Sequence, residues 1–123
     1  MKTQEFCTFT DEFAHINTAT LKILLESKVN LALFDARSPK WDDGQRIPGA
    51  RSLTSESPIE EFTALIPQND SLIIVYCSHL QCGASGRLAN RLKELGYRFV
   101  LKYAEGIDAW KTQGNPINTR HLQ

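Results

Sequence analysis

The sequence carries no excess of charge of either sign, because its 14 lysines and arginines balance 14 aspartates and glutamates. A neutral chain has no overall field that draws it to nucleic acid or to an anionic membrane surface, so we expect neither partner. It also lacks an apolar run of the roughly 20 residues that a membrane span needs. Function is therefore expected from a local site.

Cysteine is scarce, with three residues at positions 7, 77 and 82. So few cysteines exclude a disulfide-dense scaffold, and the first residues lack the apolar stretch of a secretory signal. We therefore expect free thiols in a reducing compartment, with the cytoplasm as the default location. We assign no function to Cys7.

The composition that is present is typical of one globular domain. The 123 residues are 41% apolar and 23% charged, which suits a conventional hydrophobic core. No repeat or linker divides the chain. We expect an N-terminal extension over residues 1–15, one domain over residues 16–117 and a C-terminal tail over residues 118–123.

Apolar periodicity predicts strands that alternate with helices. Short, nearly continuous apolar runs at residues 31–35, 72–76 and 99–103 have the length of strands buried on both faces. Leucine spacing predicts helices over residues 18–26, with Thr18 as a hydroxyl N-cap, and over residues 84–95, ending at Gly96. Briefer elements are predicted at residues 50–53 (strand), 60–66 and 107–111 (helices). The predicted fold class is α/β, a three-layer sandwich with a central, mainly parallel sheet flanked by helices.

The candidate site is the loop that begins at Cys77. Ligands of open parallel sheets bind beyond the carboxyl ends of the strands, and Cys77 directly follows the most apolar strand. Loop N–H groups and the next helix N-terminus are expected to favour a thiolate, which attacks sulfur and other soft electrophiles. The alternative is that Cys77 is simply a small buried core residue.

The loop residues form the candidate substrate-binding set: Ser78, His79, Leu80, Gln81, Cys82, Gly83, Ala84 and Ser85. Gly83 and Ser85 are interpreted chiefly as architecture, a turn position and a hydroxyl helix cap, with contact between the Ser85 hydroxyl and bound sulfur as a second role. Cys82 is either a resolving thiol that forms a disulfide with Cys77 or a small packing residue. On the exposed side of the following helix we place Arg87, Arg91, Lys93 and Glu94.

Five short motifs resemble the rhodanese-like domain family in order and spacing over residues 16–117. They are Asp35-Ala36-Arg37, Ile47-Pro48-Gly49-Ala50, Val75-Tyr76-Cys77, Leu95-Gly96-Tyr97, and Glu105 to Trp110 followed by Gly114-Asn115-Pro116. The resemblance implies sulfur transfer through a persulfide on Cys77, with no metal or organic cofactor. It also favours a bracing role for Asp35 and Arg37 over a solvated pair. The expected partners are a sulfur donor and a thiol acceptor, and the expected state is a monomer or weak homodimer.

This chain departs from the usual family loop in length and charge. Seven residues separate Cys77 from Ser85, two more than usual, and the second cysteine gives a Cys-x4-Cys spacing that resembles a subset of the family. No arginine or lysine lies between Cys77 and Gly86, so we expect weak binding of thiosulfate and a small-molecule or protein persulfide as donor. Arg46 replaces a histidine that is typical of the family. It is interpreted as an exposed loop residue or as the missing cation.

Three other functions were weighed on the same residues. A cysteine-dependent phosphatase needs an arginine six residues after the nucleophile, where this chain has Gly83. A metal site from Cys77, His79 and Cys82 lacks the paired spacing and fourth ligand of structural zinc sites, so no metal is expected. A non-enzymatic binding or redox-sensing module with the same fold remains an alternative.

Overall fold

The computed structural model describes residues 13–80 and 82–119. Two residues discussed above, Cys7 and Gln81, lie outside the described residues. The strands are β1 (Ala14–His15), β2 (Leu31–Asp35), β3 (Gln45–Arg46), β4 (Arg51–Ser52), β5 (Leu72–Tyr76), β6 (Phe99–Tyr103) and β7 (Asn118–Thr119). The helices are α1 (Thr18–Glu26), α2 (Ile59–Leu65), α3 (Ala84–Glu94) and α4 (Gly106–Thr112).

Five of the strands form one parallel sheet in the order β1-β6-β5-β2-β4. The most apolar strand, β5, lies at its centre between β2 and β6, where both of its faces are covered. β3 and β7 pair separately as a small antiparallel ribbon. Every helix within the described residues is too short or too polar to cross a bilayer.

Alternating side chains of β5 divide the core into two layers. Ile73 and Val75 pack on one face of the sheet with a cluster that includes α2 and α3, whereas Ile74 and Tyr76 pack on the other face with a cluster that includes α1 and α4. All four side chains are completely buried. The predicted three-layer α/β sandwich is therefore confirmed, since helices cover both faces of a parallel sheet.

The start of α1 differs from the prediction. Asn17 is the N-cap, and its side chain accepts a hydrogen bond from the Thr20 N–H at 2.8 Å. Thr18 is the first helical residue, and its buried hydroxyl instead contacts Tyr103 at 2.5 Å and the Glu105 carboxylate at 2.7 Å. The predicted Thr18 cap is wrong because these distant partners use its hydroxyl.

The first and last described segments contribute strands. Ala14–His15 pair with β6, and Asn118–Thr119 pair with β3. Hydrogen-bonded structure therefore continues on both sides of residues 16–117. These two-residue strands have exposed side chains and no apolar alternation, so hydropathy gave no signal for them.

The loop after β5 is held by the start of α4. The Ile107 N–H donates to the Cys77 carbonyl oxygen at 2.9 Å, and the Asp108 N–H donates to the Ser78 carbonyl oxygen at 3.0 Å. Gly106 has a φ of +78°, and a Cβ there would lie 2.5 Å from the Ser78 oxygen. This close approach requires glycine, so Gly106 sets the distance between α4 and the cysteine loop.

We expect Gly106→Ala to destabilise the protein more than Gly114→Ala, a matched control. Gly114 has a similar φ of +81°, but a Cβ there would meet nothing within 4 Å. Gly114→Ala should cost about 1–2 kcal/mol of backbone strain. Gly106→Ala should cost an additional 1–3 kcal/mol or so, because the methyl group overlaps the loop backbone. Denaturant unfolding of both variants measures this difference, and equal losses would contradict the proposed contact.

Candidate active site

Cys77 follows β5 directly, and its side chain is 1% exposed. Its Sγ lies 3.5 Å from the Cys82 carbonyl oxygen, 3.6 Å from Ser85 Oγ and 4.0 Å from the His79 carbonyl oxygen. The thiol is therefore enclosed by the loop that follows it and by the first turn of α3.

Ser85 does not cap α3. Gly83 is the N-cap and offers no side chain, while Ser85 lies inside the first helical turn. The Ser85 side chain is buried, and both its hydroxyl and its backbone N–H hydrogen-bond the Cys77 sulfur. The predicted cap is wrong, and the alternative contact with the sulfur site is the one observed.

The two loop cysteines differ in acidity. Burial raises the pKa of Cys77, and a hydrogen bond with the Cys82 thiol raises it further, against the opposing effect of Ser85. Burial alone would also raise the pKa of Cys82, but hydrogen bonds from Cys77, Ala84 N–H and Ser78 N–H, with the Arg87 charge, lower it overall. The predicted cradle is therefore present at Cys77 through Ser85, but burial outweighs it there, whereas hydrogen bonds and the Arg87 charge lower the pKa of Cys82 overall.

The remaining described loop residues contribute backbone or exposed side chains. Ser78 presents its carbonyl to α4, as described above, whereas His79 and Leu80 project outward, Leu80 with 71% of its surface exposed. Gly83 is exposed and Ala84 is half-buried. Of the predicted loop set, Ser85 and the carbonyl groups of His79 and Cys82 thus lie around the Cys77 sulfur, whereas the Leu80 side chain is exposed and Gln81 is not described.

A cavity of about 310 Å³ opens beside Cys82. One side of the cavity is lined by three residues of the loop after β2: Arg37, Ser38 and Trp41. The other side is lined by Ser78, His79, Cys82, Gly83, Ala84 and Arg87. Trp41 is 68% exposed, so it forms a rim of the cavity.

Arg87 is a candidate site residue that the predicted loop set did not include. It is exposed, as predicted, and the first turn of α3 borders the cavity, so its exposed side there is a cavity wall. The Arg87 guanidinium lies close to Gly83 of the loop, since a Cβ added to Gly83 would lie 2.9 Å from it. The sequence did contain a signal for this position: Arg87 follows Gly83 by four residues, and residues three or four apart lie on the same face of a helix. The neighbouring prediction for Arg91 is also incomplete, because Arg91 stacks on Phe62 and donates to the Ser55 carbonyl.

Asp35 and Arg37 form a buried ion pair at the end of β2. Arg37 Nε and Nη2 donate to the two Asp35 carboxylate oxygens at 2.8–3.1 Å, with side chains 4% and 1% exposed. Arg37 also donates to Asp43 at 3.2 Å and to the Gln45 carbonyl oxygen at 2.6 Å. This arrangement fits a bracing pair rather than a solvated one.

Arg46 is neither exposed nor part of the cysteine loop. Its side chain is 3% exposed and donates two 2.7 Å hydrogen bonds to Asp42, with Asp35 at 3.5 Å. The Arg46 hydrogen bond is the main cause that lowers the pKa of Asp42 to about 2, against the effect of burial, so the pair stays ionised at neutral pH. The interpretations of Arg46 as an exposed residue or as the missing cation are both wrong, because two carboxylates neutralise it inside the protein.

No group of three or more His, Cys, Asp or Glu side chains within residues 13–80 and 82–119 is arranged to hold a metal ion. The site brings together two thiols of one loop, a hydroxyl, backbone N–H groups and the guanidinium groups of Arg37 and Arg87.

Comparison with known proteins agrees with this geometry. The family model for the rhodanese-like domain matches residues 17–113. The chain belongs to the rhodanese-like domain family. No curated protein matches it.

Solved structures with the rhodanese-like fold match most of the chain. The BH2092 protein of Bacillus halodurans has a TM-score of 0.76 at 22% identity, over 86% of this chain and 77% of that chain. A thiosulfate sulfurtransferase from Pseudomonas aeruginosa gives 0.69 at 17% identity, over 90% of this chain and 21% of that chain. A rhodanese from E. coli, solved with anions, gives 0.55 at 24% identity, over 72% and 96%. At these identities the likeness establishes the fold alone.

Removing the buried guanidinium should be costly. We expect Arg37→Met to lower the free energy of unfolding by about 3–5 kcal/mol, because it leaves the Asp35 carboxylate buried with a weaker partner. Arg51→Met, at the exposed end of the adjacent strand β4, is the matched control and should change it by about 0.5 kcal/mol or less. Denaturant titration measures both, and a loss for Arg37→Met as small as that of the control would show that the pair does no bracing.

The acidity difference predicts which thiol reacts first. In a Cys7→Ser background, iodoacetamide should alkylate Cys82 before Cys77, with a pH midpoint below that of an ordinary cysteine, because the thiolate is the reacting form. Cys77 should react more slowly and with a higher pH midpoint than Cys82, since burial raises its pKa. Fragment mass spectrometry across a pH series locates each adduct. Faster alkylation of Cys77 would contradict the assignment.

Proposed function

We propose that this rhodanese-like chain is a sulfurtransferase that carries sulfane sulfur as a persulfide on Cys77. The observation that carries the proposal is the position of the Cys77 sulfur, at the carboxyl end of the central strand and within hydrogen-bond reach of the Ser85 hydroxyl and N–H. The family membership adds support, because proteins of this fold include one named a thiosulfate sulfurtransferase.

The reaction is two displacements at sulfur. In the first, the Cys77 thiolate attacks the outer sulfur of a donor R–S–SH, the donor S–S bond breaks and R–S⁻ leaves. In the second, an acceptor thiolate attacks the outer sulfur of the Cys77 persulfide, and the Cys77 thiolate leaves. The Ser85 hydroxyl and N–H stabilise the anionic sulfur in both steps. No net oxidation occurs, and no cofactor is required.

A persulfide donor suits the site better than thiosulfate. Carbonyl oxygens of His79 and Cys82 face the Cys77 sulfur, and a dianion would be repelled by them. Glu105 and Asp108 line a second cavity on the other side of the same loop. Arg87 supplies one positive charge at the mouth, which suits a persulfide whose carboxylate lies away from its sulfur more closely than a dianion at the sulfur itself.

The chemistry also bears on location and assembly. Transfer requires reduced thiols, so we place the protein in a reducing compartment, the cytoplasm. Because Cys77, Ser85 and Arg87 all come from one chain, a monomer or a weak homodimer is sufficient for activity.

The proposal is tested by parallel transfer assays with glutathione persulfide and thiosulfate as donors and a thiol acceptor in excess. The Cys7→Ser chain is the parent, and Cys77→Ala is made in it. The parent should turn over and carry an adduct of about 32 Da on Cys77 during turnover. Its kcat/KM should be at least about tenfold higher for the persulfide, a ratio that a difference of about 1.4 kcal/mol produces.

Cys77→Ala should lose turnover while keeping the parent's circular dichroism and thermal midpoint. Absence of both adduct and turnover with either donor would reject the enzyme. The non-enzymatic binding or redox-sensing module would then be the better account. A higher kcat/KM for thiosulfate would keep the enzyme and reject the donor class.

A further inference from the structure

The two-displacement reaction leaves one thiol of the site without a role. Cys82 lies in the same loop as Cys77, and the two thiols are hydrogen-bonded to each other. The Cys82 backbone carbonyl also lies 3.5 Å from the Cys77 sulfur. The backbone of a residue with a second sulfur nucleophile thus lies against the atom that the proposed function loads.

The surroundings of Cys82 favour its anion. The N–H groups of Ala84 and Ser78 donate to its sulfur, and Arg87 lies on the same cavity wall. A thiolate is the form that attacks a sulfur–sulfur bond. Cys82 is therefore equipped as a nucleophile, and this half-buried residue lines the cavity.

A loaded Cys77 presents two sulfur atoms to that nucleophile. The sulfur that lies 3.5 Å from the Cys82 carbonyl oxygen is Sγ, which becomes the inner atom of the persulfide. The added atom lies about 2 Å further along the new bond. Attack on the inner atom expels hydrosulfide. Hydrosulfide is a good leaving group because hydrogen sulfide is a stronger acid than a thiol.

We propose that Cys82 discharges an unused Cys77 persulfide by attacking Sγ of Cys77, which releases hydrosulfide and leaves a Cys77–Cys82 disulfide. This inference rests on the proposed function, because the persulfide must form first. The sulfane sulfur is reduced to sulfide, and the two thiols supply both electrons by becoming the disulfide. The negative charge of the Cys82 thiolate leaves with HS⁻, which also keeps the proton of the persulfide. Because the two thiols supply both electrons, no external oxidant or reductant is needed.

The consequence is a site that limits its own supply of reactive sulfur. With an acceptor thiol in excess, transfer competes with discharge and the site cycles. Without an acceptor, each loaded chain releases one sulfide and stops, because its nucleophile is held in the disulfide. A dithiol reductant restores it.

The discharge is tested on the full chain in the Cys7→Ser background, with Cys82→Ser and Cys82→Ala as variants. Each chain is loaded with glutathione persulfide, freed of donor by rapid desalting and held without acceptor. In the parent, the adduct of about 32 Da should give way to a species about 2 Da lighter than the reduced chain, with one sulfide released per chain. Dithiothreitol should then restore turnover.

Both Cys82 variants should load and keep the adduct at least about tenfold longer than the parent, because no neighbouring thiolate attacks it. Arg87→Gln should slow the discharge about threefold to tenfold by weakening the Cys82 thiolate, with Arg51→Gln as the unaffected control. Circular dichroism checks that each variant is folded. The Arg87 variant keeps the test decisive if both changes at Cys82 prevent folding.

The two proposals fail in different ways. An adduct that persists equally in the parent and in the Cys82 variants, with no lighter species and no sulfide, would overturn the discharge and leave the sulfurtransferase intact. Absence of an adduct in the parent and in the Cys82 variants alike would overturn both. Discharge at an unchanged rate in Arg87→Gln would reject the role assigned to the guanidinium.

Discussion

The cysteine loop depends on two hydrogen bonds that α4 donates to it. β5 and β6 are paired so that Tyr76 lies opposite Tyr103, and the two strands therefore end side by side. Gly106 then starts α4 next to Cys77, and the N–H groups that follow it bind the carbonyls of Cys77 and Ser78. With those carbonyls held on one side, the Cys77 sulfur lies on the other, against the first turn of α3.

A second constraint fixes the opposite border of the site. Asp35 ends β2 beside Tyr76 of β5, and its buried carboxylate orients the Arg37 guanidinium. Arg37 in turn binds Asp43 and the Gln45 backbone, which holds the loop that carries Trp41. Because its donors are used in this way, Arg37 acts as a rigid cavity wall and leaves Arg87 as the cation beside Cys82.

The contact between two thiols gives the site its chemical asymmetry. A shared hydrogen bond favours the proton on one sulfur and the charge on the other, and burial decides the direction. Cys77 is enclosed, and burial raises its pKa, whereas Cys82 borders the cavity and meets N–H groups and a guanidinium. In the proposed cycle, Cys77 stores the sulfur and Cys82 releases it, so the two roles belong to different residues of one loop.

Long apolar segments were predictable, because the apolar run of β5 and the regularly spaced leucines of α3 are visible within a short stretch of sequence. Residues whose partners are far along the chain were not. The hydroxyl of Thr18 was interpreted as a local cap, but Tyr103 and Glu105 bind it, and Arg46 was interpreted as a loop residue, but two carboxylates bury it. Local propensity says nothing about such contacts.

The sequence by itself determined the three-layer fold, the family, and the position of Cys77 at the end of its most apolar strand, because each depends on the order and spacing of neighbouring residues. Only the tertiary structure decided which thiol is the stronger acid and which arginine faces it. Acidity depends on burial and on charges across space, and the turn of α3 that brings Arg87 to Cys82 exists only in the folded chain.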